Sequence, residues 1–149
     1  MTSLAVFMTP SQLLLLMITV TAAAGGVQLV LRRRLVKRLR ALAQERKMHF
    51  SAADRFRLAA RIVSLLPVPG AAAVRVSDLV YGVEQQHYRY VFRTEYTVGV
   101  LRSKTGIRRV ARFREPRDRS AAPQLTFAPE HLPLLEQYRQ MLDERSGTN

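Results

Sequence analysis

The sequence of 149 residues contains no cysteine and no tryptophan. The absence of cysteine excludes disulfides, thiolate nucleophiles, Cys-ligated zinc and iron–sulfur clusters. Acidic residues are also scarce, because 11 Asp and Glu face 24 Lys and Arg and leave a formal net charge of +13. Hydrophobic residues make up 48% of the chain, a share typical of a folded protein. A chain of this length holds at most one compact domain beside a tail or an anchor.

The basic residues are unevenly distributed along the chain. No charged residue occurs in the first 31 positions. Eight Lys and Arg then lie between positions 32 and 47 against one acidic residue, Glu45, a net of +7. Positions 106–120 carry six arginines against two acidic residues, a net of +4. More than half of the net charge therefore follows directly after an uncharged segment.

The uncharged segment has the length of a membrane span. Residues 13–31 read LLLLMITVTAAAGGVQLVL, which as a helix measures about 28 Å, close to the thickness of the hydrocarbon core. Thr9, Pro10 and Gln12 form a helix start, since Thr9 can cap, Pro10 suits the first helical position and Gln12 completes a capping box. The sequence predicts a transmembrane helix over residues 11–31, preceded by a short extracytoplasmic N-terminus, residues 1–10.

A cleaved secretory signal is the alternative interpretation of this segment, because the small residues at positions 22–26 resemble a cleavage site. However, no basic residue precedes the apolar stretch, which continues to Leu31 and is followed by three arginines. These features favour a retained signal-anchor. Because the basic residues lie on its C-terminal side, we expect an outward N-terminus and a cytoplasmic C-terminal domain.

The segment after the span predicts a basic amphipathic juxtamembrane helix over residues 32–47. Its apolar residues fall on one helical stripe, formed by Leu35, Val36, Leu39, Leu42 and Ala43. The basic residues fill the other faces and are candidate contacts for anionic lipid headgroups: Arg32, Arg33, Arg34, Lys37, Arg38 and Arg40. The alternative is that they only fix the topology of the span. Small residues at Thr21/Gly25 and Ala22/Gly26 also suit packing of two spans in a homodimer.

Residues 48–149 predict a small cytoplasmic α+β domain. Ser51 and Asp54 are spaced as a capping box and predict a helix that begins at Ser51 and ends before Pro67. Alternating apolar residues predict strands over 74–81, 88–101 and 107–113, with a short edge strand at 125–127. A helical pattern covers residues 130–144. The predicted order is helix, three- or four-stranded antiparallel meander and C-terminal helix.

Two features of the domain are compatible with binding to phosphate groups. Tyr88, Tyr90 and Phe92 alternate with Arg89 and Arg93, and could stack bases of single-stranded nucleic acid. The favoured alternative is that these aromatic residues form the core face of a strand whose other face is charged. The arginines of the 106–120 segment could contact phosphates of lipid or nucleic acid, or could form the solvated face of an edge strand; the candidates are Arg108, Arg109 and Arg112.

Residue patterns for catalysis or metal binding are missing. His49, His87 and His131 lie about forty residues apart with no second ligand at metal spacing. The sequence has no G-x-S-x-G, P-loop or G-x-G-x-x-G motif. No two carboxylates of the central region share a helical or strand spacing, the set being Asp54, Asp78, Glu84 and Glu95. We therefore predict no enzyme, no catalytic residue, no metal and no cofactor.

The succession LAQERKMHF, DRFRL, VSDLVYG and YRYVFRTEYTVG resembles a group of uncharacterised bacterial proteins, in which a span and a basic segment precede a small domain with an aromatic strand. The resemblance covers about residues 32–114 and implies the architecture without an activity. We expect a single-pass inner-membrane protein whose cytoplasmic domain binds or scaffolds a partner at an anionic membrane surface. The alternatives, both disfavoured, are a membrane-tethered nucleic-acid-binding protein and an enzyme with an unrecognised site.

Overall fold

The computed structural model describes residues 9–99 and 105–144. The chain divides into two compact units, Met1–Leu35 and Val36–Asn149. Most of the predicted extracytoplasmic N-terminus lies outside the described residues. The elements are, in chain order, α1 (Pro10–Glu45), β1 (His49–Ala53), α2 (Leu58–Ile62) with a 3-10 turn (Val63–Leu65), β2 (Ala72–Glu84), β3 (His87–Val98), β4 (Thr105–Pro116), β5 (Gln124–Phe127) and α3 (Leu134–Asp143).

Within the described residues, the first unit contains α1 from Pro10 to Leu35, and the predicted helix start is confirmed. The backbone N–H of Gln12 donates to the Thr9 hydroxyl at 3.4 Å, and the Thr9 N–H donates to the Gln12 side chain at 3.1 Å. Thr19 and Thr21 donate their hydroxyls to carbonyls of their own helix, each at 2.8 Å. The large apolar side chains are exposed, and α1 is long and apolar enough to cross a membrane.

The second unit contains one five-stranded antiparallel sheet with the strands in sequence order, β1 to β5. The prediction of an α+β fold with an antiparallel meander is confirmed, and β5 is the predicted edge strand. The strand number is higher than predicted because β1 pairs with β2, with His49 opposite Tyr81 and Ala53 opposite Ser77.

The predicted helix start at Ser51 is wrong. Ser51 lies in β1 opposite Leu79, and its hydroxyl donates to the Ala53 carbonyl instead of capping a helix. Pairing with β2 satisfies the backbone groups that a helix would otherwise bond. The helix start is made by Asp54, whose carboxylate accepts the N–H groups of Leu58 and Ala59, each at 2.9 Å. The helical segment is therefore much shorter than predicted.

We expect Asp54→Ala to lower the free energy of unfolding of the second unit by about 1–2 kcal/mol, because it leaves the first N–H groups of α2 without their acceptor. All five tyrosines lie between positions 81 and 138, so tyrosine fluorescence during urea unfolding of the full chain in detergent reports on this unit. Asp118→Ala is the control, since Asp118 is exposed and its carboxylate accepts the N–H and the hydroxyl of Ser120, two residues later. Equal unfolding midpoints for the two variants would contradict the capping role.

Both faces of the sheet are buried. One face packs against α2, in a core formed by Leu58, Ile62, Val76, Leu79, Tyr90, Phe92, Ala111 and Phe113. The other face carries Val80, Val91 and Val110, all at 0% exposure, and lies under α3, where the Tyr138 hydroxyl donates to the Asp78 carbonyl at 2.6 Å. This second face of β3 carries the predicted charged residues Arg89, Arg93 and Glu95, each in an ion pair, beside the buried Val91.

The last turns of α1 belong to the second unit. Leu39, Leu42 and Ala43 are 0%, 5% and 1% exposed, and the Arg40 guanidinium lies 5.9 Å from the Phe50 ring centroid. The division between the units at Val36 thus falls inside the segment predicted as a juxtamembrane helix. Three members of the predicted apolar stripe are part of the protein core.

The C-terminal helix is confirmed but shorter than predicted. It spans Leu134–Asp143, with Pro133 as the residue before its first turn. Proline disfavours helical geometry at the residue that precedes it. The chain from position 130 to Leu132 is therefore not helical, and the acidic and apolar pattern there does not extend the helix.

Candidate anionic-membrane surface

The basic residues of α1 fall in both units. Arg33 and Arg34 are exposed in the first unit, and Lys37, Arg38 and Arg40 are exposed in the second, while Arg32 is half-buried. Within residues 9–99 and 105–144, no carboxylate forms an ion pair with those five exposed side chains. In the second unit the apolar stripe turns inward, so the basic face turns to solvent.

The three predicted anion contacts on β4 have carboxylate partners within the second unit. Arg108 Nε lies 2.8 Å from Glu95 Oε1, and Arg109 Nε lies 3.2 Å from Glu130 Oε1. The Arg109 guanidinium also lies 4.7 Å from the Phe127 ring centroid. Arg112 pairs with Glu144 at 3.3 Å. Each of these three arginines is therefore matched by a glutamate from elsewhere in the chain.

Arg112 and Arg89 hold the C-terminal end of α3. Arg89 is 7% exposed and donates to the carbonyls of Met141 and Leu142 at 2.6 and 2.7 Å, and to Glu84 at 2.6 Å. Arg112 donates to the Glu144 carbonyl at 2.9 Å. Burial lowers the pKa of Arg112, and the charge of Glu144 opposes this shift. These arginines satisfy carbonyls that a helix end leaves without partners, a role that no signal in the sequence indicated.

The aromatic residues of β3 form part of the core, as the favoured interpretation predicted. Phe92 is 0% and Tyr90 7% exposed, and Tyr88 is half-buried against the same core. The Arg61 guanidinium lies 5.9 Å from the Tyr90 ring centroid and forms an ion pair with Glu115. Burial raises the pKa of Tyr90, although the hydrogen bond with Arg61 opposes the shift. Tyr90 and Phe92 therefore offer no free ring face for a nucleic-acid base.

Three of the central carboxylates each pair with a different arginine. Asp78 is fully buried and its carboxylate lies 3.4 Å from Arg93, while Glu84 pairs with Arg89 and Glu95 with Arg108. In the part of the chain that the structure describes, no group of three or more His, Asp or Glu side chains could hold a metal ion. Asp54 serves as the capping residue of α2.

Comparison with known proteins identifies no relative of this chain. No family model matches it, and no curated protein and no solved structure is significantly similar to it. The candidate site is therefore defined by the chemistry of its own residues.

Proposed function

We propose that the chain is a single-pass membrane protein whose second unit is a binding or scaffolding module at an anionic membrane surface. The observation that carries the proposal is the contrast between two groups of arginines. Arg108, Arg109 and Arg112 of β4 are matched by glutamates, whereas the exposed basic residues of α1 have no carboxylate partner among the described residues. The latter follow directly on an exposed apolar helix long enough to span a bilayer.

The proposed surface acts by electrostatics. Because Leu39, Leu42 and Ala43 are buried in the second unit, they are not available for insertion into lipid. The basic residues alone would then attract the headgroups, with about 1 kcal/mol for each residue close to the surface. Salt screens interactions of this kind, so the preference for anionic lipid should weaken as the ionic strength rises.

The proposed topology has the N-terminus outside and the second unit in the cytoplasm of a bacterial cell, because the basic residues flank only the C-terminal side of the apolar segment. Protease added to spheroplasts should leave the second unit intact and should digest it after lysis. Digestion of the second unit from outside would reverse the proposed orientation.

Lipid preference tests the function directly. The chain has no tryptophan, so Leu31→Trp places a single reporter beside the basic residues. In reconstituted vesicles of phosphatidylcholine and phosphatidylglycerol, we expect brominated phosphatidylglycerol to quench this reporter more than brominated phosphatidylcholine. Adding Lys37→Gln, Arg38→Gln and Arg40→Gln should bring the ratio of the two quenching efficiencies towards one, because the attraction for anionic headgroups is lost.

The matched control removes the same charge elsewhere, with Arg55→Gln, Arg117→Gln and Arg119→Gln, all at exposed positions. It should keep the quenching ratio of the parent protein. An equal loss in both triple variants would mean that only net charge matters, and no preference in the parent would contradict the proposal. Oligonucleotide binding by the full chain that competes with anionic vesicles would favour a nucleic-acid function instead.

A further inference from the structure

The second unit has a defined end at which the chain enters from α1, here called the Val36 end. Helix α3 lies beside the last turns of α1, because Arg46 pairs with Asp143 and a groove is lined by Arg38 and Leu42 together with Leu135 and Arg139. The earlier residues of the α1 segment thus lie beside the earlier residues of α3, and the later residues lie beside the later ones. The two helical segments run in the same direction.

The order of contacts along α3 shows which end of the sheet is the Val36 end. Near its C-terminus, α3 meets Arg89, next to the hairpin between β2 and β3. Nearer its N-terminus, Gln137 lines a cavity together with Arg108 at the opposite end of β4. The part of the sheet around Arg108 therefore lies at the Val36 end. Val36 is the first residue of the second unit, five positions after the last residue of the uncharged segment.

Two arginines flank one glutamate across three neighbouring strands at this end. Arg75 of β2 lies opposite Glu95 of β3, which lies opposite Arg108 of β4. Neighbouring strands are about 4.8 Å apart, so the two arginine backbones are about 10 Å apart and their side chains project from the same face of the sheet. Glu95 pairs with Arg108, whereas Arg75 is exposed and has no ion-pair partner among the described residues. The three side chains together carry one unmatched positive charge.

A cavity of about 550 Å³ opens beside these side chains, lined by Arg75, Glu95, Tyr96, Thr97, Ile107 and Arg108. A volume of this size falls in the range of small-ligand sites. Guanidinium groups bind phosphate with two parallel hydrogen bonds, and two such groups on either side of a cavity suit one phosphate. The unmatched charge of +1 is complementary to a phosphate diester with its charge of −1.

We propose that this cavity binds a phosphate group, held between Arg75 and Arg108 at the Val36 end of the second unit. The inference rests on the proposed membrane-surface function and deepens it by naming the chemistry that is bound. The phosphate could be carried by an anionic lipid headgroup or be free in solution. Both sources present at least two non-bridging phosphate oxygens to the two guanidinium groups.

The three isoleucines of the chain allow the test to be made on the full protein. Ile18 lies in the apolar part of α1, Ile62 in the core under α2, and Ile107 in the cavity wall. Methyl NMR of isoleucine-labelled full chain in nanodiscs therefore yields one reporter each for the span, the fold and the cavity. We expect the Ile107 signal to shift saturably as phosphatidylglycerol replaces phosphatidylcholine, while the Ile62 signal stays in place.

The variant Arg75→Gln/Arg108→Gln should raise the half-saturating phosphatidylglycerol content at least about tenfold, because charge-assisted hydrogen bonds are removed. Arg117→Gln/Arg119→Gln removes the same charge at exposed positions and should not change it. An Ile62 signal that stays in place in both variants shows that the fold is intact. Inorganic phosphate added to phosphatidylcholine nanodiscs distinguishes the two sources of phosphate. A saturable Ile107 shift in this experiment assigns the site to free phosphate. A shift that occurs with phosphatidylglycerol alone assigns the site to lipid.

Two results would overturn the phosphate site. One is the absence of any Ile107 shift with either phosphate source. The other is an equal shift with oleate at matched surface charge, which would mean that the cavity responds to negative charge and not to phosphate. The Ile18 methyl reports separately on the proposed membrane function, because cross-relaxation with lipid acyl chains shows the span whatever Ile107 does. Absence of cross-relaxation between Ile18 and the acyl chains would contradict the proposed membrane function. If this cross-relaxation is present but the Ile107 signal does not shift, only the phosphate site is contradicted.

Discussion

Leu39→Ala is expected to lower the free energy of unfolding of the second unit by about 2–5 kcal/mol, the cost of a cavity at a fully buried leucine. Leu39 is 0% exposed although it lies in a segment whose composition is typical of a membrane-surface helix. Urea unfolding of the full chain in detergent, followed by tyrosine fluorescence, measures the effect, because every tyrosine lies in the second unit.

The control for this variant is Lys37→Ala, two residues earlier on the same helix and exposed. A surface substitution of this kind should change the free energy of unfolding by no more than about 0.5 kcal/mol. If Leu39→Ala were as mild as the control and instead weakened contact with lipid, the last turns of α1 would lie on the membrane and not in the core.

Arg89→Ala is expected to lower the free energy of unfolding by about 3–5 kcal/mol, because it leaves two buried carbonyls of α3 without a donor and removes the partner of the half-exposed Glu84. From β3, the Arg89 guanidinium reaches two carbonyls of α3. It also reaches the carboxylate of Glu84 on the neighbouring strand β2. Urea unfolding by the same fluorescence method measures the loss. Arg89→Lys should recover only part of it, since one ammonium group cannot replace the planar fork of donors.

Arg139→Ala is the matched control for Arg89, since Arg139 is exposed on α3 and, among the described residues, its one ion-pair partner is Glu136, three positions earlier. Exposed pairs of this type contribute about 0.3–0.5 kcal/mol. A loss for Arg89→Ala as small as this would mean that the α3 carbonyls are satisfied by water and that Arg89 is not the group that holds the helix end.

The elements that the sequence predicted correctly depend on local patterns. The uncharged run of residues 13–31, the capping pair Thr9 and Gln12, and the aromatic alternation of β3 are all visible within short windows. Strand β1 was missed because its five residues are stabilised by β2, more than twenty residues later, whereas the helix-start signal at Ser51 is local. Backbone pairing with a distant strand outweighs a local propensity of this size.

For the candidate site, the sequence predicts which basic residues take part but not which carboxylates lie beside them in the fold. The sequence predicts the basic residues of both α1 and β4 as contacts for phosphate or lipid and does not distinguish between the two groups. Their difference arises from carboxylates that are distant in sequence, such as Glu130 for Arg109 and Glu144 for Arg112. Arg75 is not among the predicted site residues, and Arg89 is considered only beside the aromatic residues of β3. Neither the cavity beside Arg75 nor the helix end beside Arg89 has a signature in the neighbouring sequence.

The burial of Leu39 and Leu42 in the same unit as α3 also bears on synthesis of the protein. The first and the last elements of this unit lie side by side, as the ion pair of Arg46 with Asp143 shows. Proteins dominated by such non-local contacts cannot complete their core until the late segments are available. The second unit therefore closes only after residue 143 has left the exit tunnel of the ribosome. Chains that stop short of α3 would leave Val80, Val91 and Val110 uncovered on one face of the sheet.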